Sequence, residues 1–208
     1  MRIAIVGAGR VGTTLGSGWL RAGHAVTYGV REPEGEKARA LARDGAEVAA
    51  PAAAVAGSEV VVLATPWGAV RGALAALGDL EGRPLLDATN PIGPGLELAV
   101  GRDGSGGELV QRWAPSARVV KVFNTTGVEN MAEPRLGGQA VTMLYCGDDE
   151  GACRTAARLA ADLGFEAVPA GALRNARLLE AHGFLWITLA LKLGMGRGIA
   201  FRLLRRGD

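Results

Sequence analysis

The stretch MRIAIVGAGRVGTTLGSGWLRAGHAVTYGVR, residues 1–31, decides the fold. An apolar run, Ile3-Ala4-Ile5-Val6, leads directly into Gly7-Ala8-Gly9-Arg10-Val11-Gly12, and an amphipathic segment follows. A second apolar run at residues 25–30 completes a strand–helix–strand unit. The G-x-G-x-x-G pattern is weak alone, but it gains force here because it follows a strand and opens a helix. Gly7 makes the tight turn, Gly9 lets a ligand's pyrophosphate approach the backbone, and Gly12 lets helix and strand pack closely. The helix start then offers free N–H groups and the positive end of its dipole to the phosphates.

Outward from this unit, short apolar runs recur at residues 46–48, 59–64, 84–88, 118–123, 141–146 and 166–168. Several do not alternate, Val60-Val61-Val62-Leu63 being the clearest, as expected of strands covered by helices on both faces. Helical patterns at 11–22, 34–43, 67–77, 107–113 and 150–163 lie between them. The alternation predicts an α/β fold with a doubly wound, Rossmann-type, mostly parallel sheet. Residues 1–172 form the nucleotide-binding domain on this reading. Residues 173–208 form a C-terminal helical extension that is not an independent domain. Leu178-Leu179, Phe184-Leu185-Trp186-Ile187 and the run to Leu193 read as helix that is apolar on most faces. A homodimer through these helices is the expected outlet, with packing back onto the same chain as the competitor. The glycine-rich connection from Pro91 to Gly107 lies after a strand's carboxyl end, where functional loops concentrate.

A net charge of +2 on 208 residues gives no ground for nucleic-acid binding. The longest apolar run, residues 184–191, is too short to span a bilayer, and residues 1–6 do not form a signal sequence. The expectation is a cytoplasmic protein without membrane insertion. Cys146 and Cys153 match no metal-ligand spacing and read as buried free thiols, and no metal site is expected.

The end of the second strand bears on cofactor choice. An NAD-binding unit usually places Asp or Glu there for the ribose 2′-hydroxyl. This chain has Thr27-Tyr28-Gly29-Val30-Arg31, and a guanidinium at Arg31 suits a 2′-phosphate that a carboxylate would repel. Arg10 is placed to add a second cation. The residues favour NADPH over NADH, although a one-residue shift in register would bring Glu32 to the ribose.

Further segments appear in order: Leu63-Ala64-Thr65-Pro66-Trp67, Asp87-Ala88-Thr89-Asn90-Pro91, Val119-Val120-Lys121-Val122-Phe123-Asn124-Thr125, and Gly171-Ala172-Leu173-Arg174-Asn175-Ala176. Together with the glycine loop they resemble the coenzyme F420-dependent NADP reductase family over nearly the whole chain. The Asn90 and Asn124 segments are similar to a bacterial branch that also resembles the cytoplasmic domains of six-transmembrane metalloreductases. The resemblance implies hydride exchange between NADP(H) and a small-molecule redox acceptor with a flat ring: deazaflavin F420 or a flavin (FMN or FAD). It places the cofactor on Gly7, Ala8, Gly9, Arg10, Val11, Gly12, Val30 and Arg31, with Thr65, Pro66 and Trp67 lining the NADP at the fourth strand's end and Asn90 and Pro91 bordering the nicotinamide. The family often has a serine where Val30 stands. Asn124, Thr125, Met195 and Gly196 would face the second ring.

Ring-to-ring hydride transfer needs close stacking and exclusion of water, not an acid or base at the reacting carbon. No catalytic side chain is therefore named; Asn90, Asn124 and Lys121 are candidate positioning residues. Lys121 and Asp87 interrupt apolar strands near their carboxyl ends, and either a structural salt bridge or contact with an anion or substrate would explain them. His24 and His182 read as structural, as do Trp67 and Trp186. Two alternatives remain: an NADP(H)-binding sensor or partner module without turnover, and a reductase of small imines or hydroxy acids. The latter usually carries a long second helical domain and a catalytic lysine or similar acid, and the short tail argues against it.

Overall fold

The structure is a computed structural model that describes residues 1–100 and 104–206. Eight strands form the central sheet: β1 (Arg2–Val6), β2 (Ala25–Gly29), β3 (Glu47–Ala49), β4 (Val60–Leu63), β5 (Pro84–Asp87), β6 (Arg118–Lys121), β7 (Thr142–Gly147) and β8 (Glu166–Pro169). Their spatial order is β3-β2-β1-β4-β5-β6-β7-β8. The order reverses beside β1, which creates the crevice where open α/β sheets bind ligands. Each of the eight apolar runs contributes a strand.

Helices α1 (Arg10–Arg21), α2 (Glu36–Arg43), α3 (Pro51–Ala56), α4 (Val70–Ala75), α5 (Gly106–Trp113), α6 (Val128–Ala132), α7 (Glu150–Asp162) and α8 (Ala176–Ile187) connect and cover the strands. Because side chains alternate along a strand, Val60 and Val62 face one layer while Val61 and Leu63 face the other. One layer is built from Leu15, Trp19 and Leu159 of α1 and α7, and the opposite layer from Val55, Leu74, Val110 and Leu179 of α3, α4, α5 and α8. Both layers are closed, which explains why the strands are apolar without alternation. Helix α3 was not anticipated, although Pro51 at its first turn and the alanines after it are a legible signal.

The sheet departs from a uniformly parallel arrangement at β7. This strand runs antiparallel to β6, pairing Cys146 with Lys121 and Gly147 with Val120, and β8 lies parallel to β7. A parallel return would need a crossover back to the amino edge of the sheet, usually through a long helix. Here the connection holds the five-residue α6 and the hairpin of Arg135–Leu136 with Gln139–Ala140, so the chain re-enters from the carboxyl edge.

The C-terminal extension begins at the 3-10 turn Leu173–Asn175 and is helical through α8 and a π-helical turn, Thr188–Lys192. Helix α8 buries Ala176, Leu179, Glu180, Gly183 and Trp186 on the same chain, leaving Leu178 and Leu185 exposed. Beyond Lys192 the extension is not helical. It returns to the start of β7, with Thr142 N donating to the Phe201 carbonyl at 3.3 Å and Leu203 N donating to Thr142 Oγ1 at 3.0 Å. The Arg202–Arg206 segment, part of the stretch expected to be helical, belongs to this return. Between β5 and α5, Ile92–Gly93 and Glu97–Leu98 form a small hairpin; residues 101–103 of the Pro91–Gly107 connection lie outside the described residues. Among the described residues, no helix is long and apolar enough to cross a membrane.

Candidate functional site

The glycine loop joins β1 to α1, and its three glycines meet different surroundings. Gly7 adopts φ 109°, and a Cβ there would lie 2.5 Å from the Ala64 carbonyl oxygen. A Cβ on Gly12 would run into the Gly7 carbonyl oxygen, which keeps helix and strand in contact. Gly9 differs: a Cβ there would meet nothing within 4 Å. It is the N-cap of α1, and no side chain caps the helix start. The loop therefore presents open backbone and uncapped first-turn N–H groups to solvent, an arrangement that fits a pyrophosphate. Ala8 and Val11 are half-buried against the core, while Arg10 is exposed and donates from Nη2 to Glu129 Oε1 at 2.9 Å.

Beyond β2, Val30 N donates to the Ala49 carbonyl at 3.0 Å and the Val30 side chain packs against the core. Arg31 is exposed and has no ion-pair partner among the described residues. At the end of β4, Thr65 Oγ1 is buried without a hydrogen-bond partner among the described residues, Pro66 is exposed, and Trp67 packs on Trp113 with ring centroids 5.7 Å apart. Trp67 thus serves packing at least on one face.

The ends of β5 and β6 carry two linked constructions. Asn90 Nδ2 donates to the Asn124 backbone carbonyl at 2.8 Å, and Asn124 Nδ2 donates to Asn90 Oδ1 at 3.0 Å. The backbone carbonyl can only accept, so it fixes the orientation of Asn90 and, through it, that of Asn124. Among the described residues, Asn124 Oδ1 is left buried without a hydrogen-bond partner. Pro91 is buried next to this couple. Gly183 of α8 packs directly over it, since a Cβ there would collide with the Asn124 carbonyl oxygen. Phe123 turns the chain at this point with φ 61°, a left-handed conformation costly for a bulky residue. Its ring repays part of that by packing between Trp19 and Phe165.

Beneath this couple lies a closed ion triad. Lys121 Nζ is 2.9 Å from Asp87 Oδ2 and 2.8 Å from Glu180 Oε1, and the side chains are 0%, 0% and 4% exposed. Asp87 Oδ1 also accepts from Thr89 N and Thr89 Oγ1. Glu180 accepts from Gly106 N and Gly107 N, capping the start of α5. Burial by itself would lower the Lys121 pKa; the two carboxylates more than offset it and hold the amine above its ordinary value. The sequence left a salt bridge and an anion contact open for Lys121 and Asp87, and the geometry is that of the salt bridge. Glu180 was missed, because nothing in the local pattern of α8 indicates its partner.

The remaining candidates are dispersed. Thr125 is buried, with Oγ1 3.7 Å from Met143 Sδ, and it also borders a cavity of about 190 Å³ lined by Val141, Leu144, His182 and Phe201. Burial lowers the His182 pKa, and its ring meets Phe201 edge-on at 4.5 Å. Met195 and Gly196 lie exposed on the C-terminal return. His24 is buried, with Nε2 3.0 Å from Asp162 Oδ2. Cys146 is buried and Cys153 half-buried; burial pushes the Cys146 thiol up to about 12, which keeps it protonated near neutral pH. Among the described residues, no group of three His, Cys, Asp or Glu is placed to hold a metal ion.

Residues 2–91, which include the glycine loop and the ends of β2, β4 and β5, match the family of coenzyme F420-dependent NADP oxidoreductases. A protein of Arthrobacter sp. FB24 classed as an F420-dependent NADP-reductase is 33% identical, with 99% of this chain and 100% of that one covered at a TM-score of 0.90. The chain belongs to the F420-dependent NADP oxidoreductase family. A Sinorhizobium meliloti protein without an assigned function is 27% identical over 85% of this chain and 88% of its own, with a TM-score of 0.72. A reductive aminase of Aspergillus terreus, solved with NADPH4, cyclohexanone and allyl amine, is 25% identical with a TM-score of 0.69. That match covers 93% of this chain and 62% of the aminase, so this chain spans less than two thirds of that enzyme. The protein is an NADP-dependent oxidoreductase with a Rossmann-type fold.

Proposed function

We propose that this enzyme passes hydride between NADP(H) and the ring of a deazaflavin such as F420, or of a flavin. The observation that carries the proposal is the chemistry left at the ends of β5 and β6. The ionisable side chains there, Asp87, Lys121 and Glu180, are sealed into the triad, and the paired carboxamides of Asn90 and Asn124 remain. Such groups orient a bound ring and exclude water but supply no proton. The nicotinamide supplies the hydride at its C4 when bound, and the proton that balances acceptor reduction comes from solvent. On this reading the pyrophosphate lies on the Gly7–Gly12 loop and Arg31 reaches the 2′-phosphate. Thr65, Pro66, Trp67, Asn90 and Pro91 flank the nicotinamide half, while Asn124, Thr125, Met195 and Gly196 face the acceptor.

The reductive aminase neighbour favours a second reading, reduction of a small imine. That chemistry must deliver a proton to nitrogen, and the lysine at the strand ends is fully buried between two carboxylates. Oxidation of NADPH should be followed by absorbance with F420, FMN and a cyclic imine as separate acceptors. Reduction of F420 or FMN is expected. Turnover of the imine alone would favour the second reading, and NADPH binding without oxidation by any acceptor would leave a sensor. A homodimer is proposed as well: Leu178, Leu185, Leu191, Leu193 and Met195 are exposed along α8 and the turn after it. A monomeric mass by light scattering at micromolar concentration would remove that part.

A further inference from the structure

Three distant parts of the chain meet beside the glycine loop. Arg10 opens α1 with its side chain 68% exposed, and its Nη2 lies 2.9 Å from Glu129 Oε1. Glu129 stands in the first turn of α6. Arg197, from the C-terminal return, brings its Nη1 to 3.6 Å from the same carboxylate oxygen. The return is steered there by Gly194 and Gly196, with φ 70° and 78°. Two residues after Arg197 it is pinned: Asn130 Nδ2 and Trp186 Nε1 both donate to the Ile199 carbonyl, each at 2.7 Å.

Two guanidiniums on one carboxylate leave a formal charge of +1 beside the uncapped amino end of α1 and the open space at Gly9. Stability alone is a weak reason for this cluster, since exposed ion pairs contribute about 0–1 kcal/mol. Arg197 is also uncommitted among the described residues: 3.6 Å is charge proximity and not a hydrogen bond, so its planar fork of donors has no hydrogen-bond partner there. A pyrophosphate seated on the glycine loop would present non-bridging oxygens, the partner for which such a fork is shaped.

We propose that Arg197 closes over the dinucleotide pyrophosphate from the C-terminal return, paired with Arg10, while Glu129 acts as the strut that keeps the two guanidiniums together. This rests on the NADP(H) site at the glycine loop and adds a wall to it that the motif does not encode. The return is then part of the cofactor site, and cofactor release requires the Arg197 contact to open.

The test compares two ligands that share the 2′-phosphate. NADP+ carries a pyrophosphate; adenosine 2′-monophosphate does not. Calorimetric titration of Arg197→Ala is expected to show an NADP+ dissociation constant raised about tenfold, the scale of one lost charge-assisted hydrogen bond. Binding of adenosine 2′-monophosphate should stay at the wild-type value, which also reports an intact fold. Arg197→Lys should fall between wild type and Arg197→Ala, because charge remains and the fork is gone. In contrast, Arg31→Ala should weaken both ligands. Unchanged NADP+ affinity in Arg197→Ala, or an equal loss for both ligands, would overturn the proposal. If the wild-type protein bound no NADP+, the cofactor site itself would be wrong, and the wild-type titration would reveal that before any variant was compared.

Discussion

Replacing Lys121 by Met should be among the most damaging single changes available in this protein. The side chains are similar in length, so the substitution removes a charge more than it removes volume. Asp87 would keep its two hydrogen bonds from Thr89, and Glu180 its two from Gly106 and Gly107. Both carboxylates would nevertheless lose their shared cation in a site that is 0–4% exposed. Breaking a buried pair in this way costs about 3–5 kcal/mol. Against a total stability of roughly 5–15 kcal/mol, that is a large fraction. For a chain of this size it corresponds to a fall in Tm of roughly 6–20 °C. Circular dichroism melts at pH 7.5 measure it directly. Adding Glu180→Gln to Lys121→Met should recover part of the loss, because one uncompensated carboxylate remains and not two. A loss below about 1 kcal/mol, the scale of an exposed pair, would show that the triad does not hold the charges assigned to it. The pH dependence has a defined sign. The folded pKa of Lys121 is raised above its ordinary 10.5. Its contribution is therefore complete below 10.5 and is lost as pH rises through the folded value. Lys121→Met should lack this alkaline part of the transition.

Gly9→Ala should melt like the wild type, because among the described residues no atom beyond its chain neighbours lies within 4 Å of the added methyl group, yet bind NADP+ at least tenfold more weakly by fluorescence titration, a steric effect of about 1.4 kcal/mol or more. Gly12→Ala should lose stability as well, by about 1–3 kcal/mol in denaturant melts, because its methyl group meets the Gly7 carbonyl. Cys146 should resist iodoacetamide at pH 8 in the folded protein and react after unfolding in urea, as its thiol pKa of about 12 requires; rapid native labelling at Cys146, located by peptide mass, would contradict its burial.

Much of the candidate site was legible because its first part is local. The glycine loop follows a strand within six residues, and the three glycine duties can be assigned from spacing alone. Asn90 and Asn124 were also visible as polar residues at strand ends. Their mutual hydrogen bonds were not, since the two positions are 34 residues apart and meet only when β5 and β6 pair. Lys121 announced itself by breaking an apolar run. Its second partner, Glu180, sits on α8 in a segment that reads as nearly uniform apolar helix, and only the docking of α8 on the sheet reveals the contact.

The residues alone determined that the chain starts with a dinucleotide-binding βαβ unit and continues with six further strands and helices between them. That information is carried by periodicity and turn chemistry, which act over a few residues at a time. Tertiary structure decided the rest: the reversal at β7, the sealing of Lys121, and the meeting of Arg10, Glu129 and Arg197 beside the glycine loop. The physical reason is that charge pairing depends on which chain ends converge in space. Arg10 and Glu129 are 119 residues apart, and no local pattern of either segment records the other.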